Sequence, residues 1–122
     1  MAVTNTIIDQ VKQDILDRFD IFTHIAVGSD GTSDSPSDTA LGNEVLRKTF
    51  TEYNKDTLNF TYLWSIQLAL TEANGYTLQE VGIFDDASGG NLGIRKTFNA
   101  IEKTSDKEVW IDLQLNIEVE NT

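Results

Sequence analysis

The chain contains no cysteine, one proline and one histidine among its 122 residues. Without cysteine there is no disulfide framework, no thiolate nucleophile and no cysteine-ligated metal. His24 is the sole histidine, and no G-x-S-x-G elbow marks a nucleophile for a Ser-His-Asp triad. No pair of carboxylates stands out for glycoside hydrolysis. We therefore interpret His24 as structural, and we predict a protein that is not an enzyme and has neither cofactor nor metal.

Basic residues are also few, since 20 acidic side chains against 9 basic ones give a formal net charge of -11. Such a surface repels phosphate backbones, so we predict no direct contact with nucleic acid. Long hydrophobic runs are missing as well, and residues 1–19 carry neither an uninterrupted apolar run nor a cationic leader. This pattern predicts neither a signal peptide nor a membrane span.

Apolar residues recur at three- and four-residue spacing near the start of the chain, which is typical of an amphipathic helix. They are Val3, Ile7, Ile8, Val11, Ile15, Leu16 and Phe19. Thr4 or Thr6 could cap the helix, and Asp9 suits the positive end of its dipole. The spacing predicts a helix over residues 5–18 that covers the core with its apolar face. Docking of that face on a partner chain is the alternative.

Segments rich in β-forming residues follow at 21–28, 44–53, 57–70, 76–98 and 107–119. Alternation of apolar and polar residues is strictest in the third and fifth segments, which indicates long strands with one buried face. The fourth segment is typical of a hairpin, because Gly89 and Gly90 permit a tight turn between two short strands. No parallel βαβ rhythm is present. The sequence therefore predicts a single mainly-β domain: a helical segment over residues 1–20, then an antiparallel β-sandwich over 21–122.

A polar segment, residues 29–43, holds the one proline and three aspartates, Asp30, Asp34 and Asp38. Carboxylates from one loop are ligands that calcium prefers, but their spacing lacks the EF-hand pattern and its glutamate at the twelfth position. We interpret residues 29–43, hereafter the polar loop, as solvated and mobile. If the loop is ordered, the sequence favours contact of these aspartates with a partner chain over metal binding.

Glu80 lies on the same strand face as Leu78 and Gly82 by alternation, which predicts partial burial. A buried carboxylate needs a partner, because an unpaired one costs several kcal/mol or shifts its pKa. Arg47 is the first candidate for a structural ion pair with Glu80, and Arg95 is the second. A plainly exposed glutamate is the alternative, and an ion pair here would be architectural.

Three aromatic side chains are candidates for exposure: Tyr53, Tyr76 and Trp110. Trp110 falls on the polar face of its strand, so it is a candidate interface residue, and Tyr53 is a second candidate for partner contact. A carbohydrate-binding module is the competing interpretation. It requires these aromatic rings to lie together on one flat face.

Three stretches resemble segments of the phage tail-collar fibre and tail-fibre N-terminal proteins. "THIAVGSDGTSDSPSDTALGNEVLRKTF" resembles their "iavGdG", polar loop and "t.L.nEv.R" segment, and "LQEVGIFDDASGGNLGIRKTF" resembles their "i.EiGlfd..G.l.a...f" hairpin. "KTSDKEVWIDLQLNIEV" resembles their closing strand. The resemblance follows the order of the chain and covers almost all of it.

The resemblance implies a structural protein of a tailed virus of bacteria or archaea, made in the host cytoplasm and located in the virion. Its expected role is a tail, baseplate or fibre-attachment module that serves host attachment. Other virion proteins are the implied partners, and the expected homo-oligomer is a trimer, pentamer or hexamer. A capsid-surface decoration or vertex turret protein is the alternative within this class.

Overall fold

The computed structural model describes residues 1–119 of the chain. It begins with helix α1, which spans Asn5–Arg18 and continues into a short 3-10 turn, Phe19–Ile21. Seven strands follow: β1 His24–Gly28, β2 Glu44–Thr49, β3 Glu52–Asp56, β4 Thr61–Leu68, β5 Thr77–Phe84, β6 Leu92–Glu102 and β7 Val109–Asn116. The predicted helix over residues 5–18 and the predicted hairpin over 76–98 are both confirmed.

The strands form two sheets, one of four strands in the order β2-β1-β5-β6 and one of three strands in the order β3-β4-β7. Every pairing is antiparallel. The predicted mainly-β antiparallel sandwich with one N-terminal helix is therefore confirmed. The β5–β6 hairpin turns at Gly89 and Gly90, whose φ angles of 62° and 73° are in the left-handed region that glycine adopts at little cost.

The core lies between the sheets. In the four-stranded sheet Ile25 pairs with Ile83 and Val27 with Val81, and these apolar side chains face inward. Trp64, fully buried in β4, faces them from the three-stranded sheet. Alternate residues of β4 and β7 supply the rest of that layer, because successive side chains of a strand point to opposite faces.

The predicted alternating strand over residues 57–70 is shorter at both ends than expected. Leu58 and Leu70 lie outside β4 and are 88% and 46% exposed. The Asp56 carboxylate accepts the backbone N–H groups of Leu58 and Asn59, which holds a tight turn where the pattern predicted extended chain. The predicted strand over 44–53 is in fact two strands in different sheets, β2 and β3.

The prediction that α1 covers the core with its apolar face was largely wrong. Leu16 is the one buried residue of the helix, whereas Ile7, Val11 and Ile15 are exposed. Contacts near the end of the helix hold it to the sandwich: Lys12 lies over the Phe60 ring and Asp17 pairs with Lys55 at 2.7 Å. The apolar stripe is therefore divided: Leu16 and Phe19 contact the core, whereas Ile7, Val11 and Ile15 stay partly exposed.

Candidate functional site: a buried ion pair beneath the polar loop

Glu80 and the three loop aspartates that the sequence marks for a site lie together on the outer face of the four-stranded sheet, opposite the core. Pairing of Gly28 with Glu80, and of Ala26 with Gly82, leaves a shallow space on this face between β1 and β5. Glu80 lies in that space with no exposed surface. The polar loop closes over it, and Leu41 of this loop packs against Ala26 and Phe84. Glu80 is buried, more fully than predicted, but the face assigned to it was wrong: a register shift between Leu78 and Glu80 leaves Leu78 in the core and Glu80 on the opposite face.

The carboxylate of Glu80 accepts four hydrogen bonds. Its Oε2 accepts the backbone N–H groups of Asp30 at 3.0 Å and Asn43 at 2.9 Å. Its Oε1 accepts the backbone N–H of Gly42 at 2.8 Å and the Nε–H of Arg95 at 2.9 Å. Burial opposes ionisation, but the bonds from Arg95 and the three backbone groups outweigh it and lower the pKa of Glu80. The carboxylate is thus held ionised by groups of the protein itself.

Arg95 extends the same network into the polar loop. Its side chain is 4% exposed, and its Nη1 contacts Asp38 Oδ2 at 3.1 Å. Its Nη2 donates to the backbone oxygens of Asp30 at 3.2 Å and Thr32 at 3.0 Å. One guanidinium therefore binds two carboxylates and satisfies two loop carbonyls, which its fixed fork of donors permits. We call Glu80, Arg95 and the loop groups they bind the clamp.

Arg47, the first candidate to pair with Glu80, does not do so. Its guanidinium pairs with Glu44 at 2.6 Å and lies 3.6 Å over the centre of the Phe84 ring. It also donates to the backbone oxygens of two turn residues between β5 and β6. The second candidate is the partner because β6 pairs directly with β5, whereas β1 separates β5 from the strand of Arg47. Strand order decided between the two arginines.

The three loop aspartates are not gathered into a cation site. Asp30 accepts from the backbone N–H and hydroxyl of Thr32, Asp34 accepts from the Thr97 hydroxyl at 3.0 Å, and Asp38 pairs with Arg95. Within residues 1–119, no group of three or more potential ligands could hold a metal ion. The hydrogen bonds from the backbone N–H and the hydroxyl of Thr32 lower the pKa of Asp30, and the bond from the Thr97 hydroxyl lowers that of Asp34.

The polar loop is therefore tied to the sheet by contacts within the chain, and its contact with a partner stays a prediction. Two glycines make the close approach possible. A Cβ at Gly28 would overlap the Asn43 carbonyl oxygen and Glu80 Oε2, and a Cβ at Gly42 would overlap the Asp30 carboxylate. Sequence reasoning missed these glycines, although each lies beside the polar loop or within it.

His24 is half-buried at the start of β1, where its Nδ1 lies 2.7 Å from the Thr23 hydroxyl oxygen. Its cross-strand neighbours are Thr49 and Phe84. The structural role of His24 stays a prediction.

The exposed aromatic side chains do not share one face. Trp110, 48% exposed, lies in β7 at one edge of the three-stranded sheet, on its outer face beside Gln67. Tyr53, 67% exposed, lies in β3 at the opposite edge and pairs with the core residue Trp64, so it belongs to the inner face. Tyr76 follows the turn after β4. A flat aromatic platform for a sugar is therefore not formed by these three rings.

Two open grooves lie at the edges of the sandwich. One, of about 590 Å³, is lined by residues that include Tyr53, Lys55 and Asp20 near β3. The other, of about 580 Å³, lies between β6 and β7 and is lined mainly by apolar groups, with Trp110 among its residues.

Comparison with known protein families found no match, and no curated protein matches the chain. In the part of the chain that the structure describes, no helix is long and apolar enough to cross a membrane.

Proposed function

We propose that the protein is a structural component of a tailed virus particle, a tail, baseplate or fibre-attachment module that assembles through symmetric contacts between protein chains. The observation that carries this proposal is the convergence of two distant segments at the clamp. Positions shared with the tail-fibre patterns contact one another there: Gly28, Leu41 and Asn43 from the first segment, and Glu80, Gly82 and Phe84 from the second. Matching residues that contact one another in the folded chain support a shared structure more strongly than matching residues that lie apart on the surface.

The chemistry of the clamp favours a structural role over a catalytic one. Glu80 is buried, and its hydrogen-bonding positions are occupied by donors of the same chain. A general acid or base must reach the proton that it transfers, so this carboxylate is unsuited to that role. The clamp instead holds a fifteen-residue loop in one shape against the sheet.

Exposed apolar side chains support assembly with other chains. Ile7, Val11 and Ile15 form a stripe along one face of α1, and Trp110 lies at the edge of the three-stranded sheet. On a protein of net charge -11 such surfaces gain free energy by association only once the repulsion between copies is screened. The proposed assembly is therefore stronger at molar salt than at low salt.

Light scattering at low and at molar salt tests the assembly. A trimer or hexamer supports the tail, whose symmetry is built on threes and sixes, while a pentamer supports the vertex of the capsid. A monomer at every salt concentration contradicts self-assembly and favours a module that needs a partner chain.

Electron microscopy with a gold-labelled antibody against the chain tests the location. The antibody is applied to virus particles from cells that produce the protein, and particles treated with pre-immune serum serve as the control. Label at the tail supports the proposal, and label at the vertices supports the turret alternative. Unlabelled particles from cells rich in the protein would overturn the virion role.

A further inference from the structure

The two sheets end in four edge strands, and three of them are poor templates for a further strand. β2 has an irregular register opposite Gly28, β3 has five residues and includes Lys55, and β6 is broken by two register shifts. Short length, lysine and bulges are the devices by which edge strands avoid pairing with other chains.

β7 has none of these devices. It is eight residues long, VWIDLQLN, without glycine, proline or a basic residue. It pairs with β4 in unbroken register from Val109↔Leu68 to Asn116↔Thr61. Within residues 1–119, no strand pairs with its other side. Its outer backbone N–H and C=O groups therefore form a straight row that can accept another strand.

We propose that this row pairs with β7 of a second copy of the chain, antiparallel and across a two-fold axis at Leu113. The two three-stranded sheets then form one continuous six-stranded sheet. Among the assemblies proposed above, a hexamer with two-fold axes contains such a contact, whereas a closed ring of three or five copies does not. This contact rests on the proposed function only in requiring that copies associate, and not on where in a particle they lie.

The side-chain pattern of β7 complements itself in this register. A two-fold axis at Leu113 places Ile111 beside Leu115 of the second copy, so apolar side chains meet on the inner face. Trp110 then lies opposite Asn116 of the second copy, where a half-exposed indole ring gains cover. The apolar faces of the two β7 strands must lie on the same side of the joined sheet. A shift of one residue would turn the apolar side of one strand toward solvent.

Charge selects among the registers that keep like faces together. An axis at Asp112 would bring two aspartates directly opposite, which destabilises a strand pair. An axis at Leu113 instead places each Asp112 opposite Gln114 of the other copy and still pairs residues 110–116 of both strands. Axes at Ile111 or Gln114 pair shorter stretches of β7. Asp112 is the one charged residue of this strand, so the edge is a place where copies of an acidic protein can approach.

The decisive experiment compares Gln114→Lys with Gln114→Glu by sedimentation equilibrium over a range of protein concentrations. Gln114 is exposed, so both variants should fold like the unmodified chain. In the proposed register, residue 114 of each copy lies opposite Asp112 of the other. Lysine at position 114 therefore creates two pairs of opposite charge per dimer, and glutamate creates two pairs of like charge. We expect the dimer dissociation constant to fall with lysine and rise with glutamate, each by roughly two- to thirtyfold.

Asn54→Lys and Asn54→Glu are the matched controls. Asn54 is exposed in β3 and lies in the same cross-strand row as Leu63 and Gln114, at the opposite edge of the sheet. These variants change the net charge equally but should leave the dissociation constant unchanged. Equal effects at positions 54 and 114 would overturn the proposal, because the response would then report net charge alone.

Cysteine cross-linking tests the register, and the absence of native cysteine makes it specific. Directly opposed residues have Cβ atoms about 4.5–5.5 Å apart, near the reach of a disulfide. Mixing Asp112→Cys protein with Gln114→Cys protein should give a disulfide-linked dimer of one copy of each. Rapid cross-linking of Gln114→Cys protein with itself would overturn the register.

Two further outcomes separate this inference from the proposed function. A trimer or pentamer whose mass and dissociation constant do not change with substitutions at Gln114 would overturn the β7 contact. The proposed role in the virion would be unaffected. A chain that stays monomeric at all concentrations and salts, with lysine at position 114 as well, would overturn the β7 contact too. A dimer that responds as expected supports the contact whether or not virus particles carry the protein.

Discussion

The outer faces of the two sheets differ sharply. On the four-stranded sheet the polar loop covers the outer face, and an ionised glutamate and arginine lie beneath it. On the three-stranded sheet the outer face carries exposed polar side chains such as Asn54 and Gln114, directly in contact with water. One sandwich therefore has one face closed by its own chain and one left open.

The comparison shows what it costs to close a face with a polar loop. A loop laid on a sheet brings backbone N–H groups out of water, and each must find a partner. Glu80 accepts three such groups, and Arg95 satisfies loop carbonyls in return. The open face needs no such residues because water hydrates its polar groups. The burial of Glu80 and Arg95 is accordingly a consequence of covering the sheet.

Replacing Glu80 with glutamine should have the largest effect on stability. It leaves Arg95 buried with one counter-charge fewer and puts an amide NH₂ where backbone N–H groups require an acceptor. We expect the free energy of unfolding to fall by about 3–5 kcal/mol, as when one partner of a buried pair is removed. Chemical denaturation monitored by tryptophan fluorescence measures it.

Glu52→Gln is the matched control for that variant, since Glu52 is exposed on the open face of the sheet. The same chemical change there should alter the free energy of unfolding by less than about 0.5 kcal/mol. Similar losses for the two variants would contradict the distinction between the faces.

The stability lost at Glu80 should depend on pH. The folded-state pKa of Glu80 lies below its ordinary value of about 4.3. At pH values between the lowered and the ordinary pKa, the folded state therefore binds fewer protons than the unfolded state. Its contribution is present above the ordinary pKa and is lost as pH falls through the lowered pKa. The difference in unfolding free energy between the unmodified chain and Glu80→Gln should therefore shrink below about pH 4. Other carboxylates titrate in both proteins and cancel, so a constant difference from pH 7 to pH 2 would contradict the role of this charge.

Gly28→Ala should have an intermediate effect. The new methyl group would overlap the Asn43 backbone oxygen and Glu80 Oε2, so either the loop or the carboxylate must move. Overpacking of this kind costs about 1–3 kcal/mol, measurable as a lower denaturant midpoint. Gly31→Ala is the control, because its methyl group would meet only the side-chain amide of Gln79, which can turn away. A loss for Gly31→Ala as large as that for Gly28→Ala would show that the fit beneath the loop is not the cause.

The smallest effect is expected on the open face, for Ser65→Ala. The Ser65 hydroxyl donates to Asp112 Oδ1 at 2.6 Å, and the exposed carboxylate can take water in its place. We expect a loss of about 1 kcal/mol in thermal or chemical unfolding. Ser33→Ala, at an exposed position of the polar loop, should change stability by less than about 0.5 kcal/mol. A loss at Ser65 as large as that at Glu80 would erase the contrast between the two faces.

Local periodicity predicted much of this molecule. The spacing of apolar residues placed the helix at its observed bounds, alternation placed β4 and β7, and the turn signals placed the hairpin that contains β5. These features follow from the repeat of one helix or strand, so the sequence of that element is enough to indicate them.

Tertiary structure alone decided how those elements are combined. Whether Arg47 or Arg95 pairs with Glu80 depends on which strand lies beside β5, and no local repeat records strand order. The same reason explains why the apolar stripe of α1 was misassigned: helical spacing predicts that a stripe exists, but the surface opposite decides whether it is covered. The residues by themselves determined a sandwich with an amphipathic helix and a buried carboxylate. The three-dimensional arrangement determined that the carboxylate clamps a loop, that the helix leaves part of its stripe exposed, and that β7 is an open edge within residues 1–119.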